Sequence, residues 1–258
     1  MKKIINFLFN ILGFEIKRKH RNKLNFNDIY QKFFRDDLII FDVGANKGQS
    51  IERFKKIFPN STIHAFEPIK KEFDFLKKTY GEKKDIIINN IALGEKSYQK
   101  KLNLSKRTGV SSFNNFNLAH KWIKIRSKQY NTNVEGFLEG EQLVNVVTLD
   151  EYCLSHNIGK IDILKVDTQG YEDHVLAGAV KSIKNDIIKA IELEIIFDDT
   201  YDKYLTFSDL EKYLLPSFRF CGIKNYNQNL FEGINFFAEI LYLNKKIIIK
   251  NSHLGNEK

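Results

Sequence analysis

The sequence predicts an α/β domain with a mostly parallel sheet that ends in an antiparallel pair of strands. From Leu38 onward, short apolar runs alternate with helical patterns, as they do in βαβ units. Each helical pattern follows an apolar run closely, as right-handed crossovers between parallel strands require. The C-terminal part instead has two apolar runs joined by a polar segment with a glycine, which is typical of an antiparallel hairpin.

The individual elements follow from these patterns in chain order. Helices are expected after Lys47, after Ile69, and over residues 149–157, 171–183 and 207–215. Residues 96–140 are rich in Lys, Asn and Ser and predict an irregular insertion over the face of the sheet where loops gather ligands. The expected strands are DLIIFDVG, STIHAFEP, DIIINNIAL, LVNVV, IDILKVD and KAIELEII, followed by the pair FRFCGIKN and NFFAEILYLN.

The chain divides into a helical N-terminal extension over residues 1–35 and one domain over residues 36–250. The first 24 residues predict an amphipathic helix with an apolar face that includes Ile4, Leu8 and Ile11. Asn6 and Asn10 interrupt the apolar stretch, which is unlike a signal peptide and too short to span a bilayer. This face either packs on protein or makes a peripheral membrane contact at the inner face of the membrane.

Charge and cysteine content narrow the classes of function. The net charge is +9, but residues 1–24 hold seven Lys or Arg against Glu15 alone, so the body of the chain is close to balanced. A broad nucleic-acid groove is therefore not expected. Cys153 and Cys221 lie far apart without metal-ligand spacing, which indicates neither a zinc site nor a disulfide framework and fits a cytoplasmic location.

The first strand runs into a glycine turn that predicts a ligand site. Asp42 ends the strand, and Gly44 and Gly48 let the chain approach a ligand and enter a helix whose free N–H groups attract an anion. The spacing does not match a phosphate loop, and Asn46 stands where a dinucleotide fingerprint has its second glycine. An acid directly before the turn suits a cationic cofactor such as S-adenosylmethionine, although a purely structural glycine turn is an alternative.

Three later strand ends extend this site. Glu67, in HAFEP, lies where α/β nucleotide-binding folds place an acid for ribose hydroxyls. In NNIALG, Asn90 offers an amide and Ala92 a small side chain near the expected adenine. Asp167 ends a further strand before Gly170, close to the expected position of a transferred methyl group.

In order along the chain, these strings resemble the FkbM family of methyltransferases. The resemblance covers residues 38–196 through FDVGANKGQ, HAFEP, NNIALG, VTLDEY, LKVDTQGYEDHVLAGA and IELEI. It implies a class I (Rossmann-like) methyltransferase fold, S-adenosylmethionine as donor, and O-methylation of a hydroxyl, commonly on sugars or polyketide-type metabolites. Many members carry an acid where this chain has Gln169. The cofactor-binding residues predicted in this way are Asp42, Gly44, Ala45, Asn46, Gly48, Glu67, Pro68, Asn90, Ala92 and Asp167.

Methyl transfer to a sugar hydroxyl calls for a general base, because the pKa of such a hydroxyl is far above neutral. Asp167 is the preferred base, and His120, beside Trp122 in the insertion, is the second predicted catalytic residue. His174 and Glu194 are further alternatives, whereas His64 within its strand is expected to be packed. No metal site is predicted, since the acidic residues near 198–202 are typical of a solvated loop.

Other functions remain as alternatives at this stage. A nicotinamide-dependent oxidoreductase is disfavoured by Asp42 before an incomplete glycine signature and by the antiparallel end of the sheet. A nucleic-acid methyltransferase is disfavoured because the strings that grip a flipped base are absent. The third alternative function is that of a non-catalytic binding module with the same fold. The expected partner is a small-molecule or glycan acceptor, in capsule or lipopolysaccharide synthesis, and the oligomeric state is left open.

Overall fold

The computed structural model describes residues 25–227 and 235–252 and contains a seven-stranded sheet. Its strands are β1 (Ile39–Val43), β2 (Thr62–Phe66), β3 (Ile86–Asn89), β7 (Ile161–Val166), β8 (Ile188–Ile196), β9 (Phe218–Asn227) and β10 (Asn235–Asn244). They lie in the order β3-β2-β1-β7-β8-β10-β9, and every described pairing from β3 to β8 is parallel. β10 is antiparallel to both β8 and β9.

Helices cover both faces of this sheet, and each face has its own apolar core. The helices are α1 (Phe26–Phe33), α2 (Gln49–Ile57), α3 (Lys70–Tyr80), α4 (Lys121–Gln129), α5 (Leu149–Ser155), α6 (Glu172–Ala177), α7 (Val180–Lys184), α8 (Phe207–Leu214) and α9 (Lys245–Ser252). On one face of the sheet, α1, α2, α3 and α9 enclose a cluster around Ile40, Ile63 and Phe54. On the other face, α5 to α8 enclose a cluster around Phe41, Leu164 and Leu193.

The segment expected to be an irregular insertion instead contains α4 and one full strand, β5, which belongs to a second sheet of three strands in the order β4-β6-β5. These strands are β4 (Ala92–Leu93), β5 (Tyr98–Ser105) and β6 (Leu138–Val147), and β5 and β6 pair as antiparallel strands. LVNVV, expected in the parallel sheet, is the end of β6. Leu102, Val144 and Val146 bury one side of this small sheet with Ile69, so alternating apolar residues specify it even though its other side is polar.

A row of ionisable side chains crosses the interior of the main sheet. Asp42 on β1 lies opposite Lys165 on β7, which lies opposite Glu192 on β8. Arg53 of α2 forms an ion pair with Glu192 at 2.9 Å, and the hydroxyl of Tyr30 on α1 donates to the same carboxylate at 2.6 Å. This part of the predicted N-terminal extension is therefore packed into the core of the domain.

Helical propensity over residues 171–183 produces two short helices instead of one. The chain bends at Gly178, where an added Cβ would lie 2.0 Å from the carbonyl oxygen of Gly94. The carbonyl of Gly178 accepts from the amide of Asp150 at 3.0 Å and so is engaged outside the helix.

The predicted fold class, a mostly parallel sheet with antiparallel C-terminal strands on a class I methyltransferase pattern, is confirmed. The amphipathic helix predicted for residues 1–24 lies outside the described residues. Between residues 25 and 252, leaving out 228–234, no helix combines the length and apolar character needed to cross a bilayer.

Candidate functional site

A cavity of about 560 Å³ opens at the carboxyl ends of β1, β2 and β7. This volume falls in the range of roughly 300–1,000 Å³ that small-molecule sites occupy. Segment 106–109, which follows β5, forms part of its wall, and the hydroxyl of Thr108 on this segment donates to Glu72 of α3 at 2.8 Å. Seven of the predicted cofactor residues line it, namely Gly44, Ala45, Asn46, Glu67, Pro68, Ala92 and Asp167.

The glycine turn after β1 has the close backbone approach that its sequence predicts. Gly44 has a φ of +83°, and an added Cβ would lie 2.0 Å from the carbonyl oxygen of Asp167. Gly48 has a φ of +85° and precedes α2, but it packs against Tyr80 and does not line the cavity. Gly44 therefore permits close contact between the ends of β1 and β7, whereas Gly48 permits the turn to pack against Tyr80 on the side away from the cavity.

Asp42 does not line the cavity, because alternation along β1 directs its side chain into the core. The carboxylate is completely buried, and neither oxygen has a hydrogen-bond partner among the described residues. Lys165 Nζ lies 3.8 Å from it and 3.3 Å from Asp167. Burial raises the pKa of Asp42, and the positive charge of Lys165 reduces this effect. Asp42 therefore has no direct contact with the cavity, but its charge acts on Lys165, which lines the cavity.

Glu67 ends β2 with its carboxylate at the cavity wall. One oxygen accepts from the amide of Asn46 and the other from the amide of Ile69, both at 2.8 Å. Burial raises the pKa of Glu67 to about 7, against the opposing effect of these two amides. Each carboxylate oxygen has a second lone pair, so the group can still accept hydrogen bonds from a ligand's hydroxyls.

Of the residues that follow β3, Asn90 supports the site from outside the cavity and Ala92 lines it. Asn90 does not line the cavity. Its amide donates to the carbonyls of Glu67 and Pro68, at 2.9 and 3.0 Å, and so fixes the loop after β2. Ala92, in contrast, lies in the wall beside Leu93. Ala92, the small side chain expected near an adenine, therefore lies at the cavity, whereas the side-chain amide of Asn90 supports the loop after β2.

The turn after β7 brings two carboxyl groups together through Gln169. Its amide nitrogen donates to Asp167 at 2.9 Å and to Glu194 at 2.6 Å. Burial raises the pKa of Glu194 well above its usual range, and the charges of Asp167 and Glu172 raise it further. Burial alone would lower the pKa of Lys165, but the carboxylates of Asp167 and Asp42 offset this and raise it. The turn thus places an ion-paired Asp167 beside Glu194, whose charged form is disfavoured by burial.

A second cavity of about 220 Å³ adjoins the first across this turn. Arg107, Gly109, Asp167 and Gln169 line both cavities. Sequence reasoning missed the second cavity because its wall comes from β8, β10, α4 and segment 106–109, which are far apart in the chain. The further residues lining it are Val110, Trp122, Arg126, Glu194, Ile196, Thr200, Tyr201, Phe236 and Phe237.

His120 lines neither cavity and precedes α4 as its N-cap. Its Nδ1 accepts from the amide of Trp122 at 3.2 Å, and its Nε2 lies 2.9 Å from Asp198 and 3.3 Å from Asp199. These three side chains are close enough to hold a metal ion. However, an Nδ1 that accepts a hydrogen bond leaves the proton of neutral imidazole on Nε2, where a metal would have to bind. The arrangement therefore matches a hydrogen-bonded His–Asp pair.

The remaining histidines also lie away from the cavities. His174 lines neither cavity and bonds through Nδ1 to Glu95 at 2.5 Å. His64 is buried, as predicted, and its Nδ1 lies 2.9 Å from the hydroxyl of Tyr152. Among the four bases that the sequence suggested, Asp167 and Glu194 line the second cavity, and the two histidines do not.

Comparison with known proteins identifies the family. The model of the methyltransferase FkbM domain matches residues 42–225. This chain belongs to that family. A curated relative, the 2-O-methyltransferase NoeI of Sinorhizobium fredii (strain NBRC 101917 / NGR234), is 22% identical over 186 residues, which cover 71% of this chain and 73% of the relative. The predicted family is thereby confirmed, and membership favours methyl transfer over hydride transfer.

Solved structures of low sequence identity resemble this FkbM-family chain. An rRNA methylase from Streptococcus thermophilus has a TM-score of 0.45 at 8% identity, with 89% of this chain and 98% of that chain covered. The precorrin-6y C5,15-methyltransferase of Geobacter metallireducens GS-15 has a TM-score of 0.42 at 11% identity, covering 90% and 94%. Fibrillarin of Aeropyrum pernix, in complex with natively bound S-adenosylmethionine, has a TM-score of 0.43 at 10% identity, covering 82% and 68%.

The family and the fold imply S-adenosylmethionine as the methyl donor, and the cavity fits it. Glu67 is a buried acceptor suited to ribose hydroxyls, and the small side chain of Ala92 leaves room for a flat base. Gly44 lines the cavity, and its lack of a side chain permits the close approach to the carbonyl of Asp167. Asp167 supplies negative charge toward a cationic sulfonium.

Proposed function

We propose that this chain is an S-adenosylmethionine-dependent O-methyltransferase whose acceptor is a sugar hydroxyl. The observation that carries the proposal is the position of Asp167, in the wall shared by the larger cavity and the smaller one. A donor in the first cavity and an acceptor in the second would meet at this carboxylate. Such an arrangement turns transfer between two molecules into a step between aligned neighbours.

On the donor side, the chain contributes binding and orientation. S-adenosylmethionine supplies an electrophilic methyl group when bound. Glu67 would accept hydrogen bonds from the ribose hydroxyls of the donor, and the amides of Asn46 and Ile69 hold its carboxylate in place. Segment 106–109 forms part of the wall of the larger cavity.

On the acceptor side, Asp167 removes the proton of the attacking hydroxyl. Lys165 Nζ lies 3.3 Å from this carboxylate, and the amide of Gln169 fixes the orientation of the carboxylate. General base catalysis of this kind contributes a factor of roughly 10²–10⁴. Glu194 accepts from the same amide nitrogen of Gln169 at 2.6 Å, and burial raises the pKa of Glu194 well above its usual range, which makes Asp167 the preferred base.

The assignment of a sugar hydroxyl rests on two further points. The curated relative carries the name 2-O-methyltransferase. The smaller cavity has aromatic walls at Trp122 and Phe236 beside polar groups, a combination suited to a sugar ring. A role in capsule or lipopolysaccharide synthesis, and membrane contact through residues 1–24, stay predictions from the sequence.

Calorimetric titration of the full chain with S-adenosylhomocysteine, with NADH in parallel, tests the donor site. We expect micromolar binding of S-adenosylhomocysteine alone. Glu67→Ala should weaken it by more than tenfold, because hydrogen bonds from two hydroxyls to a carboxylate are worth roughly 1.5–3 kcal/mol. Glu82→Ala, an exposed acid elsewhere, is the matched control and should bind normally. An unchanged dissociation constant for Glu67→Ala would refute the ribose assignment, and binding of NADH alone would refute the function.

A further inference from the structure

We propose that the smaller cavity recognises an anionic group, a carboxylate or a phosphate, on the acceptor sugar through Arg107 and Arg126. This inference rests on the proposed function and specifies its substrate class. The hydroxyl to be methylated would face Asp167 at one end of the cavity, and the anionic group would meet the two guanidinium groups.

Arg126 of α4 has hydrogen-bonding capacity that the described protein leaves unused. Its Nε is buried and has no partner within residues 25–227 and 235–252. One terminal nitrogen donates to Gln129 at 2.6 Å, and the guanidinium lies 5.2 Å from the ring centre of Trp122. Packing on this ring orients the planar group within the cavity wall. A guanidinium held in this way presents a fork of donors that matches carboxylate and phosphate oxygens.

Arg107 adds a second positive charge to the same cavity. Burial lowers the pKa of Arg126, and the charge of Arg107 lowers it further, so the two groups lie close enough to repel. Neither forms a salt bridge with a carboxylate in the part of the chain that the structure describes. Arg53, by contrast, is half-buried and has Glu192 as its partner at 2.9 Å. Two neighbouring guanidinium groups without a counter-charge favour an anionic ligand.

The carboxyl groups of the cavity do not supply this counter-charge. Asp167 is already paired with Lys165. Glu194 accepts from the amide of Gln169 at 2.6 Å, and burial raises its pKa well above its usual range, which disfavours the charged form. Among residues 25–227 and 235–252, the cavity therefore carries excess positive charge at its Arg107 and Arg126 end.

The shape of the cavity limits the ligand to one sugar residue. Its 220 Å³ lie below the roughly 300–1,000 Å³ of sites for drug-sized ligands. The rings of Trp122 and Phe236 stack with centroids 6.1 Å apart and give it an apolar side. An anionic monosaccharide unit combines an apolar ring face with the charge that the arginines require.

The experiment uses the fluorescence of Trp122, the sole tryptophan of the chain. The full chain, saturated with S-adenosylhomocysteine, is titrated with inorganic phosphate, glucuronate, glucose 1-phosphate and glucose at constant ionic strength, and calorimetry repeats each titration. We expect saturable binding of the three anions, at least tenfold tighter for the charged sugars than for glucose. Tighter binding of glucuronate would identify a carboxylate, and tighter binding of glucose 1-phosphate a phosphate.

Arg126→Gln and Arg107→Gln should each weaken anion binding by tenfold or more and leave the affinity for glucose unchanged. Arg107 is exposed, so Arg107→Gln should fold normally. It therefore tests the proposal even if Arg126→Gln does not fold. Lys124→Gln, an exposed cation on the same helix, is the matched control and should behave as the wild type. Absence of saturable anion binding, equal affinity for glucose, or unaffected arginine variants would overturn the proposal. Failure of the proposed function would be seen separately, as absent binding of S-adenosylhomocysteine.

Discussion

At the scale of single residues, Glu67 has an ionisation that falls within the usual range of assay pH. Burial raises its pKa to about 7, so the group gains its charge as the pH rises through neutrality. A carboxylate accepts stronger hydrogen bonds from ribose hydroxyls than a carboxylic acid does. We therefore expect the affinity for S-adenosylhomocysteine to rise between about pH 6 and pH 8. Calorimetry across this range should give a steep profile for the wild type and a flat one for Glu67→Gln, and equal slopes would contradict the assignment.

Asp167 and Glu194 share one amide donor, but their expected roles in methyl transfer differ. Asp167→Asn removes the base and should lower kcat by roughly 10²–10⁴. Glu194→Gln preserves the shape of the side chain and an oxygen that can accept from Gln169, so it should change kcat by less than about tenfold. Transfer of labelled methyl to an acceptor sugar measures both variants, with S-adenosylhomocysteine affinity as the test of an intact donor site. A large loss in Glu194→Gln with little in Asp167→Asn would reverse the two roles.

At the scale of elements, α1 is attached to the sheet through one buried hydrogen bond that a small substitution can remove. The hydroxyl of Tyr30 donates to Glu192, whose charge Arg53 balances. Tyr30→Phe should lower the free energy of unfolding by about 1–3 kcal/mol, the range for hydrogen bonds to charged groups. Urea denaturation measures this change, and Tyr204→Phe, at an exposed tyrosine, should have little effect. Equal stability of the two variants would indicate that the bond contributes nothing.

The elements that sequence reasoning predicted well are those that local signals specify. Gly44 and Glu67 lie at strand ends, so apolar runs and turn residues locate them without knowledge of the rest of the chain. Asp42 was expected at the cofactor, but strand alternation turns it into the core. The second sheet and the smaller cavity were missed because Arg107, Arg126 and the β10 residues come together only through tertiary packing.

At the scale of the whole molecule, several buried acids make stability depend on pH. Burial raises the pKa of Glu67 and of Glu172 to about 7, and raises those of Asp42 and Glu194. In the unfolded chain these groups ionise near pH 4, so at higher pH the folded state binds more protons and stability falls as the pH rises. His64, with its pKa lowered by burial to about 4, acts in the opposite direction, but only below about pH 6.5.

Between about pH 6.5 and pH 8, the buried acids therefore act without opposition from His64. We expect the free energy of unfolding to fall by roughly 1–3 kcal/mol over this range. Urea denaturation at the two limits measures it, and Glu67→Gln, which cannot ionise, should show a smaller decrease. Constant stability would mean that these acids are ionised in the folded protein at both limits.

The turn formed by Asp167 and Gln169 belongs to the walls of both cavities. A ligand on one side changes the electrostatic surroundings of the ligand on the other, so the two occupancies are thermodynamically linked. Linkage is reciprocal: whatever factor the donor contributes to acceptor affinity, the acceptor contributes to donor affinity. The demethylated donor and the methylated acceptor carry different charge and bulk at this turn from those of the starting pair. The coupling energy of the product pair therefore differs from that of the starting pair, so the affinity for each product depends on whether the other is still bound.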